Sequence, residues 1–228
     1  MATSACCGDE AMELPKDVGE FVSQHWIEGV PYQAASQYTE QDAERLLEWL
    51  VNEPEEHEEF LPEIVTTLCF IGSETAVQPI IDFVESARAG RAVFNAKNAA
   101  LIHLGNLINK SGSQAALDFL TRVATDMEAA TALATPQVSV AADEGAAAQG
   151  FAPSVEALGA ELAVSATFGL SLSGAPSAAT TIAGLKDNTD AFSSVNQAAA
   201  EAVEIFQTVR ARGQEEYYRM RSENGNRQ

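Results

Sequence analysis

Residues 95–127 read NAKNAALIHLGNLINKSGSQAALDFLTRVATDM. Ala100, Leu101, Leu104, Leu107 and Ile108 recur at three- and four-residue intervals, which gathers them on one side of a helix ending near Ile108. A polar Asn-Lys-Ser-Gly-Ser turn follows. A second helix begins near Ser113, with Ala116, Phe119, Leu120, Val123 and Met127 on its apolar side. Ile102 lies opposite the first stripe, and a helix with two apolar faces is sandwiched between neighbours. The stretch therefore predicts a helical hairpin inside a stack of hairpins, and an all-α fold class.

Working upstream, Ser73 opens a helix with Ala76, Ile80, Phe83 and Val84 on one face, and Pro79 should weaken its first turns. Before it, Leu61, Ile64, Leu68 and Ile71 mark a helix closed by Gly72. Thr39 caps an earlier helix, with Asp42 in its first turn and Ala43, Leu46, Leu47 and Leu50 on its core face. A short helix over Val18–Ile27, packed through His25 and Trp26, stops at Gly29-Val30-Pro31, and residues 1–17 read as a flexible leader.

Downstream, residues 131–154 turn rich in Ala and Gly, with Pro136 and Pro153. They read as an irregular connection or a degenerate repeat, with room for a short helix around Asp143–Gln149. Ser154 caps a helix carrying Leu158, Leu162 and Gly169, which turns at Ser173-Gly174-Ala175-Pro176 into one carrying Ala178, Ile182 and Leu185. Val195, Ala199, Ala202, Phe206 and Val209 define a last long helix, Gly213 interrupts it, and residues 213–228 read as a C-terminal tail, helical at first and then frayed. Residues 18–212 form a single domain on this reading.

Three segments share a form: a large apolar residue and glycine (Ile71-Gly72, Leu104-Gly105, Phe168-Gly169), a Ser/Gly turn, an alanine (Ala76, Ala115, Ala178), then a second apolar helix. The first two glycines stand 33 residues apart and the next two 64, close to double. Repeats of this length mark helical solenoids. These residues resemble the HEAT-repeat family, including the shorter HEAT-like repeats of phycobilisome lyases, most clearly at Leu104, Gly105 and Ala115. The resemblance implies a short irregular α-solenoid, a superhelix of antiparallel helical pairs with a concave groove. The fixed Asp and Arg of that family have no counterpart here.

The 228 residues carry a formal net charge of −20. Of this, −16 falls on residues 1–90 and −4 on the remainder. Such an excess repels nucleic-acid phosphates and anionic membranes, and makes a basic protein or a cation the natural partner. Cys6, Cys7 and Cys69 form no disulfide framework, and Cys69 falls in an apolar helical run as a small core residue. No leader of signal-peptide type and no run of about 18 apolar residues stands out, so a cytoplasmic location is expected.

No phosphate-binding glycine loop, serine elbow or calcium-loop spacing occurs. His25, His57 and His103 are too far apart in sequence for a local metal site, so no metal, cofactor or catalytic group is expected. The function expected is a non-enzymatic interaction or adaptor module. Its candidate partner surface comprises Trp49, the acidic run Glu53, Glu55, Glu56 and Glu59 with His57 among them, and His103 beside the groove. The alternative, implied by the lyase-type repeats, is a protein that handles a small molecule or chromophore near His103. Tyr217-Tyr218 with Arg219 and Arg221 forms an aromatic-basic cluster that either binds a partner or covers the end of the array.

Overall fold

The computed structural model describes residues 17–24, 26, 29–143, 153–188 and 192–225. It is all-α, with twelve helices and no strand among the described residues. Three short or medium helices come first: α1 (Val18–Val22), α2 (Tyr32–Ala35) and α3 (Glu40–Asn52). Then follow α4 (Leu61–Ile71), α5 (Val77–Glu85), α6 (Arg91–Ser111), α7 (Gln114–Thr125) and α8 (Met127–Asp143). The second half holds α9 (Val155–Ser173), α10 (Pro176–Lys186), α11 (Ser193–Arg212) and α12 (Gln214–Gly225).

Two layers are built in chain order. In one, α4 packs on α6, α6 on α9, and α9 on α11. In the other, α3 meets α5, α5 meets α7, and α7 meets α10. Along α6 and α9 the contacts rise together in number: Asn98 Oδ1 accepts from Ser165 Oγ (2.7 Å), Gly105 meets Gly169, and Asn109 Nδ2 donates to the Ser173 carbonyl (3.0 Å). The two helices therefore run parallel. A shared core fills the space between layers, with Leu46, Ile64, Leu68, Ile80, Leu101, Leu104, Leu120 and Leu162 fully enclosed.

Sequence explains the helix ends. The Thr39 backbone N–H donates to Asp42 Oδ2 (2.8 Å), one half of a capping box. Ser113 and Ser154 accept from the backbone N–H groups of Ala116 and Ala157. Three hairpins close through a left-handed glycine: Gly72 (φ +83°), Gly112 (φ +71°) and Gly174 (φ +59°). A side chain costs about 1–2 kcal/mol in that conformation, so glycine ends the helix and frees the chain to turn. The residue four beyond each (Ala76, Ala116, Ala178) is fully buried. This register corrects the one read from sequence. Gly105 and Gly169 lie inside helices rather than at their ends, and the middle alanine is Ala116 rather than Ala115. The first helix of the central hairpin runs to Ser111, three residues past Ile108.

Other differences follow from packing. Residues 131–143, read as an irregular connection or a degenerate repeat, belong to α8, which continues through Pro136 and packs on α7 and α9. The rest of the Asp143–Gln149 segment lies outside the described residues. Gly159 of α9 sits against the backbone of Thr131, where a Cβ would come within 2.9 Å, so the small residues there permit close helix contact. Long and apolar enough by length and composition to cross a bilayer, α9 packs here against α6, α7, α8, α10 and α11. Pro79 falls at the third position of α5, after a single 3₁₀ turn at Glu74–Ala76, where it removes no intrahelical bond. Asp17, read as the end of a leader, caps α1 and pairs with Arg45 of α3. Residues 1–16 and His25 lie outside the described residues, while the Trp26 indole packs 5.0 Å from the Phe21 ring. Cys69 is fully buried in α4. The C-terminal tail, read as helical at first and then frayed, is helical from Gln214 to Gly225, and α12 packs against α11 and α2.

Candidate functional site

The candidate residues separate into two places. Six lie together, Trp49 in the last turn of α3 and five in the turn from α3 into α4. There the His57 ring stacks on Trp49, with centroids 3.9 Å apart and planes 16° from parallel. The Arg45 guanidinium stands 5.0 Å from the Trp49 ring and pairs with Asp17. Gly19 of α1 abuts the indole edge, where a Cβ would leave only 2.6 Å. The indole is thus held from α1, α3 and the turn together.

The acidic residues hang on this frame. His57 Nε2 lies 3.5 Å from Glu53 Oε2, and Arg88 from the α5–α6 loop lies 3.5 Å from Glu55. Pro54 is buried, and the backbone folds through Glu56 N–H to the Glu53 carbonyl (3.1 Å) and Phe60 N–H to the His57 carbonyl (2.9 Å). Glu55, Glu56, Glu58 and Glu59 are exposed. A cleft of ≈ 150 Å³ opens beside them, lined by Pro54, Glu55, Glu58, Leu61, Arg88 and Val93. The turn presents an anionic rim on a backbone tied by its own hydrogen bonds. No group of three or more His, Cys, Asp or Glu side chains is placed to hold a metal among the described residues.

His103 belongs to a second cluster, on the face shared by α2, α4 and α6. Its ring meets Phe70 edge-on (4.8 Å, 77°), and its Nδ1 lies 3.1 Å from Asn106 Nδ2. Asn106 can only donate there, so the Nδ1 accepts and the ring proton sits on Nε2. Burial, with the Arg221 charge adding to it, holds the imidazole down to about 3, so His103 is neutral at physiological pH.

Around it stand residues the sequence did not group. Tyr218 of α12 stacks on Tyr32 (4.7 Å, 8°) and meets Phe70 edge-on (5.3 Å, 73°). Burial pushes its phenol up from the usual value, and Asn106 beside it acts in the opposite direction. Lys110 Nζ caps the Tyr32 ring at 5.4 Å and donates to the Phe70 carbonyl. Of the Tyr217-Tyr218 pair, Tyr218 thus packs inward, against α2 and α4. Asn106 gave a signal in sequence, a polar residue at a buried position beside Gly105. Tyr32, following Pro31, gave none.

Compared with known proteins, the sequence matches no family model, and neither a curated protein nor a solved structure is significantly similar to it.

Proposed function

We propose that this chain is a short irregular α-solenoid that acts as a non-enzymatic interaction module, with the turn between α3 and α4 as its partner surface and a basic protein as its partner. The parallel run of α6 and α9, and the side-by-side order of α4, α6, α9 and α11, support the solenoid. The HEAT-like resemblance points the same way. One observation carries the choice of surface: Trp49 and His57 are locked in a stack that holds exposed glutamates on a folded turn. The other candidate face, beside His103, already holds Tyr218. That contact also occupies the place where a small-molecule or chromophore reading would put its ligand.

The test is calorimetric titration of a decalysine peptide into wild type and into Glu55→Gln/Glu56→Gln/Glu59→Gln. The triple variant keeps most of the chain's negative charge. Loss of about tenfold in affinity, with wild-type binding weakening steeply as salt rises, supports a local site. Equal binding to both proteins means that the attraction is diffuse, and the reading fails.

A further inference from the structure

The chain between α11 and α12 is a single residue, Gly213 (φ +85°, ψ 165°). Helical bonding nearly passes through it. Gly213 N–H donates to the Val209 carbonyl (2.8 Å), and Tyr217 N–H donates toward the Gly213 carbonyl (3.2 Å). Only the bonds from residues 214, 215 and 216 back to 210, 211 and 212 are needed to make α11 and α12 one helix. The non-helical backbone of Gly213, in φ and ψ alike, interrupts this, and a Cβ there would meet nothing within 4 Å.

What holds α12 back is a small seat. Tyr218 lies on Tyr32 and Phe70, and Gln214 Nε2 donates to the Leu172 carbonyl (2.9 Å). Most of the remaining α12 surface is polar or exposed. The seat is also imperfect. Asn106 and Gln214 are 0% and 4% exposed, and an amide oxygen of each has no hydrogen-bond partner among the described residues. Unpaired buried acceptors weaken the seat, which eases the release of α12 that exchange requires.

We propose that two copies of this chain exchange α12, forming a dimer in which residues 193–225 are one continuous helix and each Tyr218 occupies the Tyr32–Phe70–Asn106 seat of the other copy. This inference stands apart from the acidic-turn reading, since it uses another face and a different partner. The exchanged form keeps every contact of the seat, because the occupant is identical, and adds the missing helical bonds. It is symmetric, so it closes at two copies. Short hinges of this kind favour exchange. In the wild type the tethered helix competes at an effective concentration on the order of millimolar, so the monomer dominates in dilute solution.

The test is Gly213→Ala, because alanine disfavours the positive φ and favours the continuous helix. Light scattering after size-exclusion chromatography, at about 50–100 μM, should show a dimer for Gly213→Ala where wild type is a monomer. Adding Tyr218→Ala should return it to a monomer, with circular dichroism confirming that both variants remain helical. Two results overturn the proposal: Gly213→Ala stays monomeric at every concentration reached, or the double variant dimerises as strongly as the single one.

Discussion

Gly105 and Gly169 face each other where α6 crosses α9, so closely that a Cβ on Gly105 would lie 2.0 Å from the Gly169 carbonyl oxygen. The reverse is equally tight, since a Cβ on Gly169 would lie 2.1 Å from the Leu101 carbonyl oxygen. Backbone meets backbone here, and neither side can yield by rotating a side chain. The same contact places α9 against α6, and so sets how the second half of the chain sits on the first.

Replacing either glycine by alanine must push the two helices apart. Gly105→Ala and Gly169→Ala should each cost about 3 kcal/mol, at the upper end for overpacked cores. Urea midpoints measure it. Because both act on one contact, the double variant should lose less than the sum of the two.

The hairpin glycines behave differently. Gly112→Ala adds no contact within 4 Å, so its cost is conformational alone, about 1 kcal/mol. Gly72→Ala adds crowding against the Lys110 side chain, 2.4 Å from the new Cβ, and should cost more. Equal losses at the two positions in urea unfolding would show that the Lys110 stem moves aside freely.

Lys97 is 2% exposed, and its ammonium donates to the Ser86 carbonyl (2.7 Å). Burial lowers it to about 8 from 10.5. The folded value lies below the unfolded one, so stability rises as pH climbs from 8 toward 10.5 and is lost as pH falls through 8. Lys97→Met should therefore melt at or above wild type at pH 7, and its advantage should shrink by pH 10. Melting curves at the two pH values decide it.

His103 gives the matching acid limb. Its folded value of about 3 lies below the ordinary 6.5. Its contribution is complete above pH 6.5 and is lost as pH falls toward 3. His103→Gln should flatten the loss of stability between pH 6.5 and 4. The Arg221 charge on α12 opposes protonation, so Arg221→Gln should shift the acid limb to lower stability loss. Chemical denaturation at fixed pH steps reads both.

Helices were legible in the sequence because apolar spacing and polar caps are local signals. Thr39, Ser113 and Ser154 could be placed from a few neighbouring residues. The repeat register was harder, since glycine has two roles here. Gly72 ends a helix, while Gly105 and Gly169 admit another backbone, and both look alike in sequence. Gly72, Gly112 and Gly174 take the left-handed conformation at helix ends, whereas Gly105 and Gly169 are helical. In the same way α8 was obscured by Pro136 and by an alanine-rich surface that carries little periodicity, though it packs well on α9. The acidic turn was visible as composition. Its order was not, because the Trp49–His57 stack joins residues that no helical spacing connects. The seat of Tyr218 was hidden for the same reason: it draws on α2, α4, α6 and α12, contacts fixed by the whole fold.

The buried thiol of Cys69 gives the molecule an internal clock. Enclosure in α4 keeps reagents out and pushes the thiol up from its ordinary value, so the reactive thiolate is suppressed twice. Alkylation at this position then proceeds only when α4 opens. Followed by peptide mass spectrometry, which separates Cys69 from Cys6 and Cys7, the labelling rate counts openings of the core in the unmodified chain under native conditions.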